Sequence, residues 1–488
     1  MHATSDWLSA HARFRPDAEA LYDVDNDRRW TYSQMRDDVQ RWAHKLKSHG
    51  VVPGDRVALL AHNRGEHFLL MFACAELGAT FFPMNWRLAP EELAWQLGNA
   101  EPRLFFVDDA FASAVTDQPR LRIEDGPGDQ LLLDGPGSDL DATWVLMYTS
   151  GSSGRPKGAL LTHRQVHWNA LNTTLACDLD TSSSTLTFTP LFHTGGLNCL
   201  SSPLFHRGGR IVLTRGLDVP QALKLIGTER ITHLMGVPTI YQMLADHPAF
   251  ADTDFGHVRD ALCGGAPLSM PLLERYLDRG IPLRQGFGMT EVGPNCFSMP
   301  HDRIREKIHT VGRPIHHIEA SIRRPDGSVA DVDEPGELWL RGPIVCGGYF
   351  RNEEATAKSI DADGWFHTGD VLSVDADGFF RVRGRIKEMF ISGGENVYPA
   401  EIEAAIHAHP AVAHAAVIGV PHPRWGEVGH AFVEPRPGAS LDADVLKGFL
   451  DGRLARFKLP KTYTVMTELP RTASGKIDKV SLKKGLSD

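Results

Sequence analysis

Residues 148–158 read YTSGSSGRPKG and directly follow the apolar run WVLM at 144–147. The apolar run predicts a strand, and the glycines after it let backbone N–H groups turn inward. Threonine and serine hydroxyls add hydrogen-bond donors, and Lys157 adds a positive charge. The pattern predicts a loop that wraps the β- and γ-phosphates of a nucleotide, formed by Thr149, Ser150, Gly151, Ser152, Ser153, Gly154 and Lys157.

Two other interpretations of this segment are weaker. A Walker P-loop needs the pattern G-x-x-x-x-G-K-[ST] at the start of a helix, whereas here Pro156 precedes the lysine and Gly158 follows it. A solvated glycine and serine turn is the simpler alternative, but it does not account for so many donors beside one lysine. A phosphate loop of a non-Walker kind fits the segment best.

The segment resembles the phosphate loop of the adenylate-forming superfamily, which includes acyl-CoA synthetases, adenylation domains of peptide synthetases and firefly-type luciferases. Further family motifs follow in the same order, and the resemblance extends from about Trp7 to Lys484. It implies an ATP-dependent acyl-CoA synthetase that activates a carboxylic acid as an acyl-adenylate, releases pyrophosphate and then forms a thioester. ATP, Mg²⁺ and coenzyme A (CoA) are the implied cofactors.

The second family motif is QGFGMTE at 285–291. The resemblance implies that Phe287 lies against adenine, that Thr290 hydrogen-bonds the α-phosphate and that Glu291 holds the metal. A carboxylate is a hard oxygen ligand of the kind that Mg²⁺ prefers. The family usually has Tyr where this chain has Phe287, which keeps the stacking face. The other nucleotide contacts implied here are Gly264, Gly265, Ala266, Gly286, Gly288 and Met289.

Two motifs nearer the C-terminus complete the nucleotide site that the resemblance implies. In WFHTGD at 365–370, Asp370 matches the family's ribose-binding aspartate, since one carboxylate can accept from both hydroxyls of a cis-diol. Arg385 resembles the arginine that contacts ribose and phosphate. By itself, a T-G-D sequence is more often an ordinary turn.

The last motif is PRTASGKI at 470–477. Lys476 resembles the family lysine that reaches both the substrate carboxylate and the α-phosphate. Charge repulsion opposes the attack of one anion on another, so a lysine that offsets developing charge is the expected catalytic group. An isolated exposed lysine would ordinarily be solvated surface, and the motif's position is what favours catalysis.

Alternating helix and strand signals predict an α/β fold, with a large N-terminal domain of αβ layers and parallel-rich sheets. The resemblance implies an N-terminal nucleotide- and acyl-binding domain at 1–384, a hinge at 385–390 that turns about Lys387, and a mobile α+β C-terminal domain at 391–488. Rotation about the hinge would withdraw Lys476 and bring a short strand to the thiol tunnel, formed by Ser392, Gly393, Gly394 and Glu395. A tight turn is the alternative interpretation of those glycines.

The acyl pocket implied by the resemblance is apolar and rich in glycine, with His193, Thr194, Gly195, Met235, Gly236 and Val237 in its lining. In adenylation domains of this family that take amino acids, an Asp at the position of His193 pairs with the α-amino group of the substrate. This chain has His there, so the resemblance disfavours an amino-acid substrate. His193 is either a catalytic or gating residue or a structural partner. A fatty acid is slightly favoured, with an aryl-CoA ligase of the feruloyl or 4-coumarate type as the alternative.

Charge and composition narrow the remaining function classes. The 488 residues contain 51 Lys and Arg against 61 Asp and Glu, without long runs of one sign, which disfavours a nucleic-acid partner. We expect no membrane span and no signal peptide, and the six scattered cysteines indicate a cytoplasmic protein. The partners are then a small carboxylic acid, ATP and CoA, and a homodimer is left open.

Three alternatives to a CoA ligase are also left open by the sequence. An acyl-AMP ligase that serves a separate carrier protein would share every motif. A luciferase-like oxygenase would also form acyl-adenylates on this fold. A nucleotide-binding regulatory protein without catalysis would be expected to lack Lys476 or Glu291, and both are present.

Overall fold

A computed structural model of the chain describes residues 6–115, 119–132, 137–149, 156–472 and 476–486. In chain order its helices are α1 (Asp6–Phe14), α2 (Tyr32–Ser48), α3 (Glu66–Leu77), α4 (Pro90–Ala100), α5 (His163–Ala176), α6 (Thr194–Gly196), α7 (Ser202–Arg207), α8 (Val219–Thr228), α9 (Pro238–Asp246), α10 (Met270–Leu277), α11 (Glu353–Ser359), α12 (Pro399–His407), α13 (Ala443–Leu450) and α14 (Lys479–Lys484).

The first sixteen strands are β1 (Glu19–Asp23), β2 (Arg28–Thr31), β3 (Arg56–Leu60), β4 (Thr80–Met84), β5 (Leu104–Val107), β6 (Leu121–Arg122), β7 (Thr143–Thr149), β8 (Lys157–Thr162), β9 (Ser184–Thr187), β10 (Arg210–Leu213), β11 (His233–Gly236), β12 (Asp260–Cys263), β13 (Leu283–Gln285), β14 (Phe287–Met289), β15 (Gly293–Ser298) and β16 (Arg313–Pro314). The later strands are β17 (Glu319–Arg323), β18 (Gly336–Arg341), β19 (Phe366–Val374), β20 (Phe380–Arg385), β21 (Phe390–Ser392), β22 (Glu395–Val397), β23 (Val412–His422), β24 (Gly426–Pro435) and β25 (Thr462–Val465).

Two large sheets carry the first part of the chain. One has the order β13-β12-β11-β9-β10-β1-β2 and the other β6-β5-β3-β4-β7-β8, and each is parallel except for its last pair, β1 with β2 or β7 with β8. Parallel strands need crossover connections, which the intervening helices supply. The predicted α/β fold with parallel-rich sheets is confirmed.

Helices α2 and α3 show how local sequence sets these elements. Thr31 caps α2 by accepting from the backbone N–H of Gln34, whose side chain accepts from the backbone of Thr31 in return. Helix α3 is buried on all sides because nearly every residue from His67 to Leu77 is apolar or small. The two helices pack together in the main core, where Trp30, Trp42 and Trp144 are almost fully buried.

By packing, the chain divides into two compact units, residues 1–320 with 340–367 and residues 321–339 with 368–488. The second unit holds β19 and β20, paired antiparallel, and a five-stranded sheet with the order β22-β21-β24-β23, in which β25 pairs parallel with β24. The predicted domain boundary after Gly384 falls inside this unit, since α12 packs against β20. The predicted boundary marks where the chain is expected to rotate, and it stays a prediction.

None of the helices in the described ranges is long and apolar enough to cross a bilayer. All six cysteines lie in those ranges, and each is buried with a free thiol.

Candidate active site

The loops that follow β11, β12 and β13 lie side by side in the first unit. The backbone N–H of Gly264 donates to the carbonyl of Gly236 at 3.2 Å, and that of Gly286 donates to Cys263 at 2.9 Å. Ligands of open parallel sheets bind at the carboxyl ends of the strands. The structure therefore brings three predicted segments, 235–237, 264–266 and 286–289, to one edge of one sheet.

Glu291 lies next to this edge, in a short 3₁₀ turn that begins at Thr290. Only 8% of it is exposed, and its Oε1 accepts from the hydroxyl of Thr149 at 3.3 Å and from that of Tyr349 at 3.1 Å. The ammonium of Lys157 lies 4.8 Å from the ring centroid of Tyr349. Three predicted residues, from β7, β8 and the turn, are thus gathered around one tyrosine.

Tyr349 is a functional candidate that sequence reasoning missed. It lies two residues after Gly347, whose backbone N–H donates to Leu160 of β8 at 2.8 Å, and it forms a bridge with Ala159 of the same strand. The tyrosine is thereby held beside β8, near Lys157. The only local signal was an aromatic residue after two glycines, which many loops share. The predicted residues Ser150, Gly151, Ser152, Ser153 and Gly154 lie outside the described residues.

The surroundings of Glu291 suit the predicted metal. No group of three or more His, Cys, Asp or Glu side chains that could hold a metal occurs within the described ranges. Mg²⁺ on a nucleotide is held by one or two carboxylates together with substrate phosphates, so a dedicated cage is not needed. A single buried carboxylate, oriented by two hydroxyl donors, fits that requirement, and the ion would neutralise phosphate charge there.

We expect Tyr349→Phe to lower the affinity of the nucleotide-bound enzyme for Mg²⁺. The variant keeps the ring under Lys157 and loses only the hydroxyl that orients Glu291. Loss of such a partner lowers metal affinity by about tenfold or more. The half-saturating Mg²⁺ concentration, measured by nucleotide-binding calorimetry, should rise accordingly, and more in Tyr349→Leu. An unchanged Mg²⁺ dependence in both variants would contradict this role.

Phe287 lies half-buried on β14, with its ring 5.8 Å from that of Phe297 on the antiparallel neighbour β15. The strands approach closely because Gly288 has no side chain, since a Cβ there would lie 2.2 Å from the carbonyl oxygen of Pro294. Any larger residue would push β15 away. The predicted adenine ring-stacking residue is therefore held against a neighbouring strand.

Asp370 and Arg385 face each other on β19 and β20 of the second unit. Arg385 Nε lies 2.7 Å from Asp370 Oδ1, while Asp370 Oδ2 is buried and has no hydrogen-bond partner among the described residues. Burial raises the pKa of Asp370 to about 6, although Arg385 and Lys476 oppose the rise. A buried acceptor without a donor is uncommon in proteins, and a ribose hydroxyl would supply one.

The raised pKa of Asp370 predicts a pH dependence of nucleotide binding. As pH falls through about 6, protonation of Asp370 removes one acceptor for the ribose diol, so the Kd for ATP should rise. In Asp370→Asn the Kd should be high at every pH. A flat wild-type profile between pH 7.5 and pH 5 would contradict the assignment.

The same shift has a consequence for folding. The folded-state pKa lies above the usual value, so the carboxyl group contributes stability below pH 4 or so, and that contribution is lost as pH rises through about 6. Asp370→Asn should therefore raise Tm at pH 7.5 and change it little at pH 4.

Lys476 lies in the second unit, where its side chain is exposed and its carbonyl accepts from the backbone N–H of Thr472 at 2.7 Å. Its charge lowers the pKa of Asp370, adding to the larger effect of Arg385 on that carboxyl group. The residues just before it in the motif, 473–475, fall outside the described part of the chain.

The predicted hinge residue Lys387 lies in the turn between β20 and β21. On one side, the backbone N–H of Ile386 donates to Gly369 of β19 at 3.0 Å, and on the other, Glu388 pairs with Lys479. Lys387 is therefore flanked by two anchored residues.

Residues 392–395, expected to form a short strand, form the tip of a β-hairpin with a two-residue loop. Ser392 ends β21 and Glu395 begins β22, with Gly393 and Gly394 at φ of +62° and +89° between them. Two successive positive φ angles characterise the type I′ turn and favour glycine at both positions. Gly393 and Gly394 therefore form a tight turn between two short strands, as in the alternative interpretation. The place of this segment at the thiol tunnel stays a prediction.

The predicted acyl-pocket residues converge in the first unit. A Cβ on Gly195 would lie 3.1 Å from Met235 Cε, and Val237 lies beside Gly265. His193 is half-buried at the start of α6, with its ring 4.6 Å from that of Phe192. Thr194 and Gly236 complete the group.

One wall of this region is more polar than the sequence predicted. A narrow cleft beside Thr194 has three amide side chains in its lining, those of Gln165 and Asn169 on α5 and of Asn198 in the π-helical turn at 197–201. The rest of its lining is Leu161, Val166, Gly293 and Pro294. Asn169 Nδ2 donates to the carbonyl of Asn198 at 2.7 Å. The expected apolar, glycine-rich lining omitted this wall because α5 lies outside the family motifs used to predict it.

Gln165 links this cleft to the 3₁₀ turn at 290–292. Its Nε2 donates to the carbonyl of Thr290 at 3.0 Å, whereas its Oε1 is buried and has no hydrogen-bond partner among the described residues. An unpaired buried acceptor of this kind destabilises the protein unless a ligand or water satisfies it.

Comparison with known proteins agrees with this geometry. The family model for AMP-binding enzymes matches residues 8–350, and the model for their C-terminal domain matches residues 401–476. A feruloyl-CoA synthase from Amycolatopsis sp is 40% identical over 98% of each chain, and an indoleacetate–CoA ligase from Aromatoleum aromaticum is 36% identical over 97% of this chain and 96% of the relative.

Among solved structures, o-succinylbenzoate CoA synthetase from Bacillus subtilis, in complex with its acyl-adenylate intermediate, matches with a TM-score of 0.91. It is 31% identical, and the match covers 100% of this chain and 99% of that one. The chain therefore belongs to the AMP-binding enzyme family and is an ATP-dependent acid–thiol ligase, an acyl-CoA synthetase that works through an acyl-adenylate with ATP, Mg²⁺ and CoA.

Proposed function

We propose that the acid substrate is aromatic and carries a hydrogen-bonding group on its ring. The polar wall formed by Gln165, Asn169 and Asn198 is the observation that carries this proposal. An alkyl chain packed there would leave the buried Oε1 of Gln165 without a donor, which is unfavourable, whereas a ring hydroxyl could donate to it. Two relatives named for feruloyl-CoA and indoleacetate support it. The fatty acid that the sequence slightly favoured stays the untested alternative.

The same proposal assigns roles around the reacting atoms. A carboxylate oxygen bonds to the α-phosphorus of ATP, the bond from that phosphorus to the bridging β-oxygen breaks, and pyrophosphate leaves along residues 149–157. Lys476 offsets the charge that develops and Thr290 donates to the α-phosphate. Glu291 holds Mg²⁺, Asp370 and Arg385 hold ribose, and the thiol of CoA then displaces AMP from the acyl carbon.

The conformational part of the proposal is a rotation about Lys387 that separates the two half-reactions. The anchored neighbours of this residue support a pivot there. After this rotation, in the thioester-forming state, the hairpin at 392–395 lies along the tunnel for the pantetheine arm of CoA. The turn of this hairpin has no side chain at Gly393 or Gly394, which would let a ligand approach its backbone.

We also propose that His193 contacts the acyl group or gates its entry. The six buried free thiols support a reducing, cytoplasmic setting. A homodimer stays a prediction.

The experiment that tests this function uses Mg-ATP, CoA and a panel of acids. Cinnamate, ferulate, benzoate and indoleacetate should give AMP and thioester, with kcat/KM above those of octanoate and palmitate. Pyrophosphate release without thioester would point to a carrier protein, and light or oxygen uptake to an oxygenase. A higher kcat/KM for palmitate than for every aromatic acid would overturn the proposed substrate class.

We expect Asn169→Leu to discriminate between two matched acids. Ferulate and 3-methoxycinnamate differ only in the ring hydroxyl, so a hydrogen bond to that hydroxyl affects one of them. The kcat/KM for ferulate should fall about tenfold, the value of a hydrogen bond of about 1.4 kcal/mol, while that for 3-methoxycinnamate stays within about twofold. Equal losses for both acids would show that Asn169 is only structural.

A further inference from the structure

Lys479 joins three parts of the second unit through two carboxylates. Its Nζ pairs with Glu388, in the hinge turn, and lies 2.9 Å from Oε1 of Glu403, on α12. That oxygen also accepts from the backbone N–H of Val417 on β23, at 2.7 Å. Lys479 and Glu403 are largely buried, with 24% and 18% of their side chains exposed.

The charges in this group support one another. Although burial works against it, Glu403 and Glu388 raise the pKa of Lys479. Burial raises the pKa of Glu403, which Lys479 opposes. Removing the ammonium would leave a buried carboxylate without a counter-charge, so the pairing is maintained when the protein is folded.

The position of Lys479 connects the group to the catalytic motif. It is the first residue of α14, three residues after Lys476, and the N-cap Asp478 accepts from the backbone N–H groups of Val480 and Ser481. Ile477, between the two lysines, packs against the cluster that contains Leu482. The segment that carries Lys476 is therefore joined to a helix whose first residue is paired with the hinge turn.

We propose that Lys479 is a positioning residue that makes Glu388, the hinge residue directly after Lys387, move as one body with Lys476. The inference rests on the proposed roles of Lys387 and Lys476. Because Ile386 is bonded to Gly369 of β19 and Glu388 to Lys479, backbone rotation is confined to the peptide units around Lys387. Every degree of that rotation is then transmitted to Lys476.

The most informative variant is Glu388→Gln, because it releases the hinge and keeps the pair of Lys479 with Glu403. We expect single-turnover adenylation to slow about tenfold with the KM values for ATP and acid unchanged, since misplacement of a catalytic group affects rate rather than binding. Amide hydrogen exchange at 386–389 should become faster, and Tm should stay within a degree or two of wild type.

Two further variants separate positioning from general stability. Lys479→Arg keeps the charge and should restore most of the adenylation rate, whereas Lys479→Met should lose it. Glu401→Gln is the matched control. Glu401 lies on α12, as Glu403 does, but it pairs with Lys458, at 2.8 Å, and not with Lys479.

If Glu388→Gln and Glu401→Gln have equal effects on adenylation, or if exchange at 386–389 does not change in Glu388→Gln, the proposal is overturned. Amide hydrogen exchange also separates failure of this coupling from failure of the proposed function. A wild-type protein without adenylation would overturn the proposed function, while faster exchange in Glu388→Gln would still support the coupling of hinge and helix.

Discussion

We expect Lys476→Ala to lower the rate of acyl-adenylate formation by about a thousandfold, the upper range for removing one electrostatic group from a reacting centre. The substrate carboxylate and the α-phosphate are both anions, and the ammonium offsets the charge that accumulates as they approach. A lysine on α14 cannot substitute for Lys476, because the effect depends on distance and on exclusion of water.

The second half-reaction should behave differently in the same variant. CoA attacks a neutral acyl carbon, and in the proposed rotated state Lys476 is away from the reacting atoms. Thioester formation from supplied acyl-adenylate should therefore stay close to the wild-type rate. Stopped-flow or quench-flow measurement of both steps checks this, with Lys484→Ala, on the exposed face of α14, as the control. Equal losses in the two steps would contradict the assignment.

We expect Glu291→Gln to lower adenylation at saturating ATP by about a hundredfold, the upper range for disturbing a metal ligand. The amide has the shape of the carboxylate and can still accept from Thr149 and Tyr349 through its oxygen, so the fold around it is retained. What the variant loses is the negative charge that a hard divalent cation requires.

Nucleotide binding provides a measurement for Glu291→Gln that is independent of turnover. The Kd for ATP in wild type should fall when Mg²⁺ is added, and in the variant that Mg²⁺ effect should be largely lost. Glu274→Gln, on the surface of α10, is the control for loss of one carboxylate. A normal Mg²⁺ effect in Glu291→Gln would show that the ion is held elsewhere.

Features set by neighbouring residues could be predicted from the sequence. The capping pair Thr31 and Gln34, the buried helix α3 and the strand β3 all follow from patterns within a few residues, and the structure contains each of them. The site residues Glu291 and Asp370 were predicted from motif order. The structure places both of them buried among polar groups, although their roles remain proposals.

What could not be predicted depends on contacts between distant segments. Tyr349 reaches Glu291 across 58 positions of the chain, and Gln165 reaches Thr290 across 125. A tyrosine and a glutamine are common residues, and nothing in their local sequence distinguishes these two. The same holds for Lys479, whose partner Glu388 is 91 positions away.

The tight turn at 393–394 could not be predicted from the sequence for a different physical reason. Two glycines after a β-branched residue and a serine are compatible with both a strand end and a turn, and the family resemblance favoured the strand. Pairing of Phe390 with Val397 and the positive φ angles of both glycines decide for the turn. Pairing between strands is not visible in the sequence of either one.

The most direct test of acyl-adenylate chemistry in this chain follows one oxygen atom. Ferulate labelled with ¹⁸O at both carboxylate oxygens is converted in the presence of Mg-ATP and CoA, and the AMP is analysed by mass spectrometry. If the carboxylate attacks the α-phosphorus and the thiol then breaks the bond from the acyl carbon to that oxygen, each AMP carries one ¹⁸O. Unlabelled AMP, or ADP with labelled phosphate, would contradict the account.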